Sequence, residues 1–177
     1  MIEPMLRLIA EALWLFLPAL AANQMPGLVA HLNVPGNFPV SKRWLGANKT
    51  WAAYYAGPIG AVLALLVQRQ FESINAAIGL FEYGRPRAWL IALALGLGAI
   101  LGDHAKSFLK RRIGIPPGER WWPFDQLDFV AGSLTTVTPL IGRLGWGRIA
   151  VIAAAVLAIH PLGNRASHGL GLRKTPW

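Results

Sequence analysis

Apolar residues gather in five blocks along the chain, separated by polar stretches rich in Gly and Pro. The first block is Met5–Ala22, interrupted by Arg7 and Glu11 and bent at Pro18. Ala19-Leu20-Ala21 resembles a cleavage site, but Glu3 and Glu11 beside a lone Arg7 give no positive leader, so this block is read as a retained helix. In Asn23–Thr50, residues Pro26, Gly27, Pro35, Gly36 and Pro39 predict a loop and no long helix. Ala52–Val67 is the second block, and its sixteen residues fall short of the ~20 that cross a bilayer, so flanking residues must contribute. Gln68–Arg87 is a mixed connector.

Ala88–Leu101 is the third block, where Gly96, Gly98 and Gly102 permit close helix contact. Its helical pattern continues through Asp103 to about Arg112. One helix is therefore predicted, apolar in its first half and polar in its second. Pro116-Pro117-Gly118 stops it. Phe124–Ile141 is the fourth block, with Pro123 suited to a helix start. Gly142–Arg148 is a tight turn, and Ile149–Ile159 opens a fifth helix that runs on towards the terminus. The pattern predicts an all-α integral membrane protein of about five transmembrane helices, with residues 1–177 as a single domain.

Composition agrees. Apolar residues make up 54% and charged residues 14%, against about 25% charged in soluble domains. With no cysteine, thiolate metal sites and disulfides are excluded. The net charge of +9 is read as basic flanks of membrane spans and not as a nucleic-acid surface, because the cations do not gather with stacking aromatics. With five spans, eleven of the seventeen Lys and Arg residues fall on one side. That asymmetry places these loops in the cytoplasm and the N-terminus outside. Trp121 and Trp122 read as interfacial anchors.

The candidate chemistry lies where the third block turns polar. Asp103, Asp125 and Asp128 are the only aspartates in the chain. Asp103, Lys106, Ser107 and Lys110 follow helical spacings of three, four and seven and share a face, with Arg111 four after Ser107. Asp125 and Asp128, three apart, share a face at the start of the next helix. Three carboxylates from two helices make a hard oxygen site suited to Mg²⁺, with nearby cations for phosphate charge. The bland alternative for Asp103 is an ion pair with Lys106 or Lys110, and for Asp125 and Asp128 it is helix capping. His104 reads as facing the helix exterior. Asn48-Lys49-Thr50-Trp51 places a cation, a hydroxyl and amide groups at a helix start, a generic anion site.

These segments together resemble the CDP-archaeol synthase family, within the wider phosphatidate cytidylyltransferase group. The resemblance rests on Ala22-Asn23, Leu45-Gly-Ala-Asn-Lys-Thr-Trp51, Gly102-Asp103, Ser107-Phe-Leu-Lys-Arg-Arg112, Ile113-Gly-Ile-Pro-Pro-Gly118, Asp125-Gln-Leu-Asp-Phe129 and the closing Gly171-Leu-Arg-Lys-Thr-Pro-Trp177. It implies a cytidylyltransferase of five helices. Such an enzyme uses CTP and Mg²⁺ to turn a lipid phosphate into a CDP-activated membrane lipid, CDP-archaeol or a diacylglycerol counterpart, and releases pyrophosphate. Its active site would be built from cytoplasmic loops. By this resemblance Asp103, Asp125 and Asp128 hold metal and triphosphate, and Lys110 joins them as a catalytic residue. Asn23, Asn48, Lys49, Thr50, Ser107 and Arg111 would bind the nucleotide. Ala52-Ala53 stands where relatives follow the Trp with Arg-Gly, so one arginine of the pattern is missing.

Two other classes compete. A CDP-alcohol phosphotransferase would need later aspartates that are absent here. A transporter or lipid-binding scaffold would use the acids as ion relays, but no internal repeat supports it. Oligomeric state is open.

Overall fold

The computed structural model describes residues 2–116 and 118–171; Pro117 and the 172–177 part of the closing motif lie outside the described residues. Six helices follow in chain order: α1 (Ile2–His31), α2 (Ala52–Arg69), α3 (Glu72–Ile78), α4 (Arg87–Arg112), α5 (Phe124–Ile141) and α6 (Trp146–Gly169). Five of them are long, as the apolar blocks predict, and among the described residues no strand forms. Glu3–His31, Arg87–Arg112 and Trp146–Gly163 are long and apolar enough to cross a membrane. The helices α2 and α5, at 18 residues each, span ~27 Å at ~1.5 Å per residue, close to the hydrocarbon thickness.

Two expectations need correction. The first helix does not stop before Pro26 but runs through Pro18, Pro26 and Gly27 to His31. Packing decides this: Met25 lies against Gly60, and Val29 packs with Ala52 and Ala56 of α2. Neighbouring helices make an interior proline tolerable in a membrane helix. The connector after α2 also contains a short helix, α3. It is held by Asn75, which accepts from Trp14 Nε1 at 2.8 Å and donates to the Gln68 carbonyl at 2.7 Å.

The core runs through all five long helices, with Phe16 of α1 against Phe129 of α5 at 5.9 Å between ring centres. At one end, Arg148 of α6 pairs with Glu11 of α1. The most extensive contact is α4 on α5. Its seam is made of small residues. A Cβ on Gly102 would overlap the Asp128 carbonyl oxygen, and Gly98 and Gly132 block each other in the same way. Glycine is required there because the two backbones touch. Ser133 Oγ donates to the Leu95 carbonyl at 2.9 Å, and Thr136 Oγ1 to the Ala94 carbonyl at 2.7 Å. On another face of α4, Leu90, Leu93, Leu97 and Leu101 are exposed at helical spacing, as a lipid-facing stripe requires. Past Leu101 the same unbroken helix turns polar.

Candidate active site

The close α4–α5 seam sets the geometry of the acidic cluster. Gly102 lies against the Asp128 backbone, so the next residue, Asp103, faces the first turns of α5. Between the three aspartates sits the ammonium of Lys106. Its Nζ is 3.2 Å from Asp103 Oδ1, 3.1 Å from Asp125 Oδ1 and 2.8 Å from Asp128 Oδ2. The three predicted carboxylates do converge, and a cation from α4 stands at their centre.

Two further lysines flank them. Lys49 Nζ pairs with Asp103 Oδ2. Lys110, buried, pairs with Asp125 at 3.0 Å and donates to the Glu119 carbonyl. Asp125 Oδ2 also accepts from the Trp121 N–H, and Asp128 Oδ1 accepts from the Phe129 N–H at 2.5 Å. Three carboxylates and three ammonium groups thus form one network. It joins α4, the start of α5 and the loop before α2.

That loop holds Lys49 by backbone pairing. Val40 N donates to the Lys49 carbonyl at 2.8 Å, Trp51 N to Phe38 at 3.2 Å and Ala52 N to Gly36 at 2.9 Å. Gly46, at φ 90°, makes the turn that lets the segment fold back. Trp44 closes the loop against α4, stacked on Phe108 at 5.8 Å, with the Arg112 guanidinium 4.3 Å from its ring centre. This pairing corrects the picture of an open helix N-terminus. The amides of Ala52, Ala53 and Tyr54 donate to Gly36, Thr50 and Trp51 carbonyls, so anion binding here depends on side chains. Ala52 and Ala53, where relatives carry Arg-Gly, are buried.

The other predicted residues are placed as follows. Ser107 is buried on the α4 face one turn from Asp103, and Thr50 is buried at the loop end. Asn48 is exposed beside Lys49. Arg111 has a buried Nε without a hydrogen-bond partner. Asn23 lies inside α1, between Ala21 and Met25, which meet Gly60 of α2. His104 corrects the reading of an outward ring. It is buried, its Nδ1 is 2.8 Å from the Ile100 carbonyl, and it packs on Tyr54 at 4.9 Å. Lys106 is the site residue that sequence reasoning left out of the binding set. Its signal was present in the spacing of three from Asp103 and four to Lys110.

The donor chemistry suits a hard divalent cation: three carboxylates, with His104 turned to Tyr54 and no thiol. Their present spacing is that of carboxylates around an ammonium, and among the described residues no acidic or histidine group closes on a single metal ion. Clefts of about 410 and 750 Å³ lie at the far end of the bundle, by Phe81 and Leu140. Neither includes any of the aspartates, so it is the chemistry that marks this site.

Comparison with known proteins bears on the whole chain. The CarS-like CDP-archaeol synthase family model matches residues 5–177. The CDP-archaeol synthase of Aeropyrum pernix is 38% identical over 178 residues, covering 96% of this chain and 92% of that protein. The enzyme of the same name from Halorubrum lacusprofundi is 35% identical, covering 96% and 98%. A solved structure, described as an intramembrane enzyme for archaeal membrane lipids biosynthesis, aligns with a TM-score of 0.65. It is 34% identical, covering 88% of this chain and 94% of that one. With the helical membrane fold and the carboxylate–lysine network already in place, the conclusion is that this chain belongs to the CDP-archaeol synthase family.

Proposed function

We propose that this protein is a Mg²⁺-dependent CTP:lipid-phosphate cytidylyltransferase that makes CDP-archaeol and pyrophosphate. It would be a single-domain enzyme with its N-terminus outside and its site on the cytoplasmic side. The observation that carries the reading is the network of Asp103, Asp125 and Asp128 with Lys49, Lys106 and Lys110 at the polar end of a membrane helix.

The lipid phosphate oxygen attacks the α-phosphorus of CTP in line; the new P–O bond forms as the bond to the β-phosphate oxygen breaks, and pyrophosphate leaves. A phosphate monoester is already ionised near neutral pH, so the chain need supply no strong base and no covalent nucleophile. Its work is positioning and charge. Lys49, on a backbone-pinned loop, and Lys106 both pair with Asp103 and would meet phosphate oxygens. Lys110, tied to Asp125 and Glu119, holds the start of α5 against the end of α4. Asn48, Thr50, Ser107 and Arg111, on the loop and on α4, and Asn23 on α1 would contact the nucleotide, as the family motif implies. Mg²⁺, held by the aspartates, would neutralise phosphate charge and orient the reacting oxygens.

Labelled CTP, Mg²⁺ and archaeol phosphate, incubated with the purified protein, should yield labelled CDP-lipid, and EDTA should stop it. No CDP-lipid from either ether or ester phosphates would remove the assignment.

A further inference from the structure

The central position of Lys106 carries more than a phosphate contact. We propose that its ammonium competes with the divalent cation for Asp103, Asp125 and Asp128, so that metal enters the site together with nucleotide and not ahead of it. This rests on the metal role given to the aspartates above.

An ammonium has three donors and no acceptor. Lys106 directs them at three different carboxylates, 2.8–3.2 Å away. A Mg²⁺ ion would sit ~2.0–2.1 Å from such oxygens. Two cations drawing on the same oxygens would lie within a few ångströms and repel, so each weakens the other's hold.

Lys106 is the member able to go. Asp103 keeps Lys49, Asp125 keeps Lys110 and the Trp121 amide, and Asp128 keeps the Phe129 amide. Removing Lys106 leaves each carboxylate a donor. Lys49 and Lys110 therefore preserve the acidic frame while the flexible Lys106 stem swings away. The charge balance favours coupled entry. Three carboxylates against three lysines are neutral, so a divalent ion alone adds an uncompensated double charge. A triphosphate supplies the anion for both the metal and the displaced ammonium. By linkage, metal and CTP then tighten each other's binding by the same factor.

Mn²⁺ binding, followed by electron paramagnetic resonance with and without CTP and without lipid, tests this apart from turnover. Wild type should bind Mn²⁺ weakly alone and at least about tenfold tighter with CTP. Lys106→Gln should bind Mn²⁺ about tenfold tighter than wild type without nucleotide, and CTP should add little. Lys106→Arg should resemble wild type, because a cation still fills the centre. Lys106→Met serves if the glutamine variant does not elute as a folded species. Equal or weaker Mn²⁺ affinity in the neutral variants overturns the competition while leaving the metal role intact. Mn²⁺ binding that ignores both CTP and Asp128→Asn overturns the metal role and the competition with it.

Discussion

Asp128 Oδ2 on α5 lies 2.8 Å from Lys106 Nζ on α4, and the Asp128 side chain is 4% exposed. It is the deepest carboxylate of the cluster and the one fixed by the backbone seam. A capping aspartate at a helix start would instead face water.

Asp128→Asn should therefore lower CDP-lipid formation by at least about 100-fold while the protein still elutes as a folded species in detergent. The amide keeps the shape and the Phe129 contact but loses the charge. Activity within a fewfold of wild type would return Asp128 to a structural role.

Lys49→Ala should raise the KM for CTP by about 10- to 100-fold, the range of one lost charge-assisted hydrogen bond. Lys42, exposed in the same loop, is the control: Lys42→Ala should stay within about twofold. Equal losses from both would mean that loop charge matters and the Lys49–Asp103 pair does not.

Gly102→Val should separate α4 from α5, because a side chain there meets the Asp128 backbone, which cannot yield like a flexible side chain. Overpacking of this kind costs about 1–3 kcal/mol. Turnover should fall further than in Leu93→Ala, which changes only the lipid-facing stripe. The two variants are compared by thermal melting and by CDP-lipid yield.

Thr136→Val removes the 2.7 Å bond to the Ala94 carbonyl about two turns below the cluster. Interhelical bonds in membranes average about 0.6 kcal/mol, so melting should drop slightly and turnover should stay within about twofold. A large loss of activity would show that the seam transmits more to the site than position alone.

Much of this architecture was legible in the sequence because apolar blocks and helix length obey simple rules. Gly96, Gly98 and Gly102 announced close helix contact without naming the partner, and the spacing of Asp103, Asp125 and Asp128 announced their convergence. The extension of α1 through Pro26 was not legible, since it depends on Val29 and Met25 finding α2. The closure of the helix start after Thr50 was hidden for the same reason. Its amides are taken by Gly36, Thr50 and Trp51, and the Gly36 partner stands sixteen residues before Ala52. His104 has no periodic signal that distinguishes a buried ring from an outward one; only Tyr54, from another helix, settles it. Lys106 was visible as a neighbour of Asp103, but its place at the centre needed the crossing of two helices.

The unbroken run of α4 from its leucine stripe into its charged half has one more consequence. Leu101 and Asp103 are two residues apart, ~3 Å along the axis, so the cluster rides at a fixed height above the hydrocarbon edge that the leucines find. The lipid substrate's phosphate rides at a height set by the bilayer. Both heights are measured from the same edge, so the leucine stripe itself sets the register between the cluster and that phosphate.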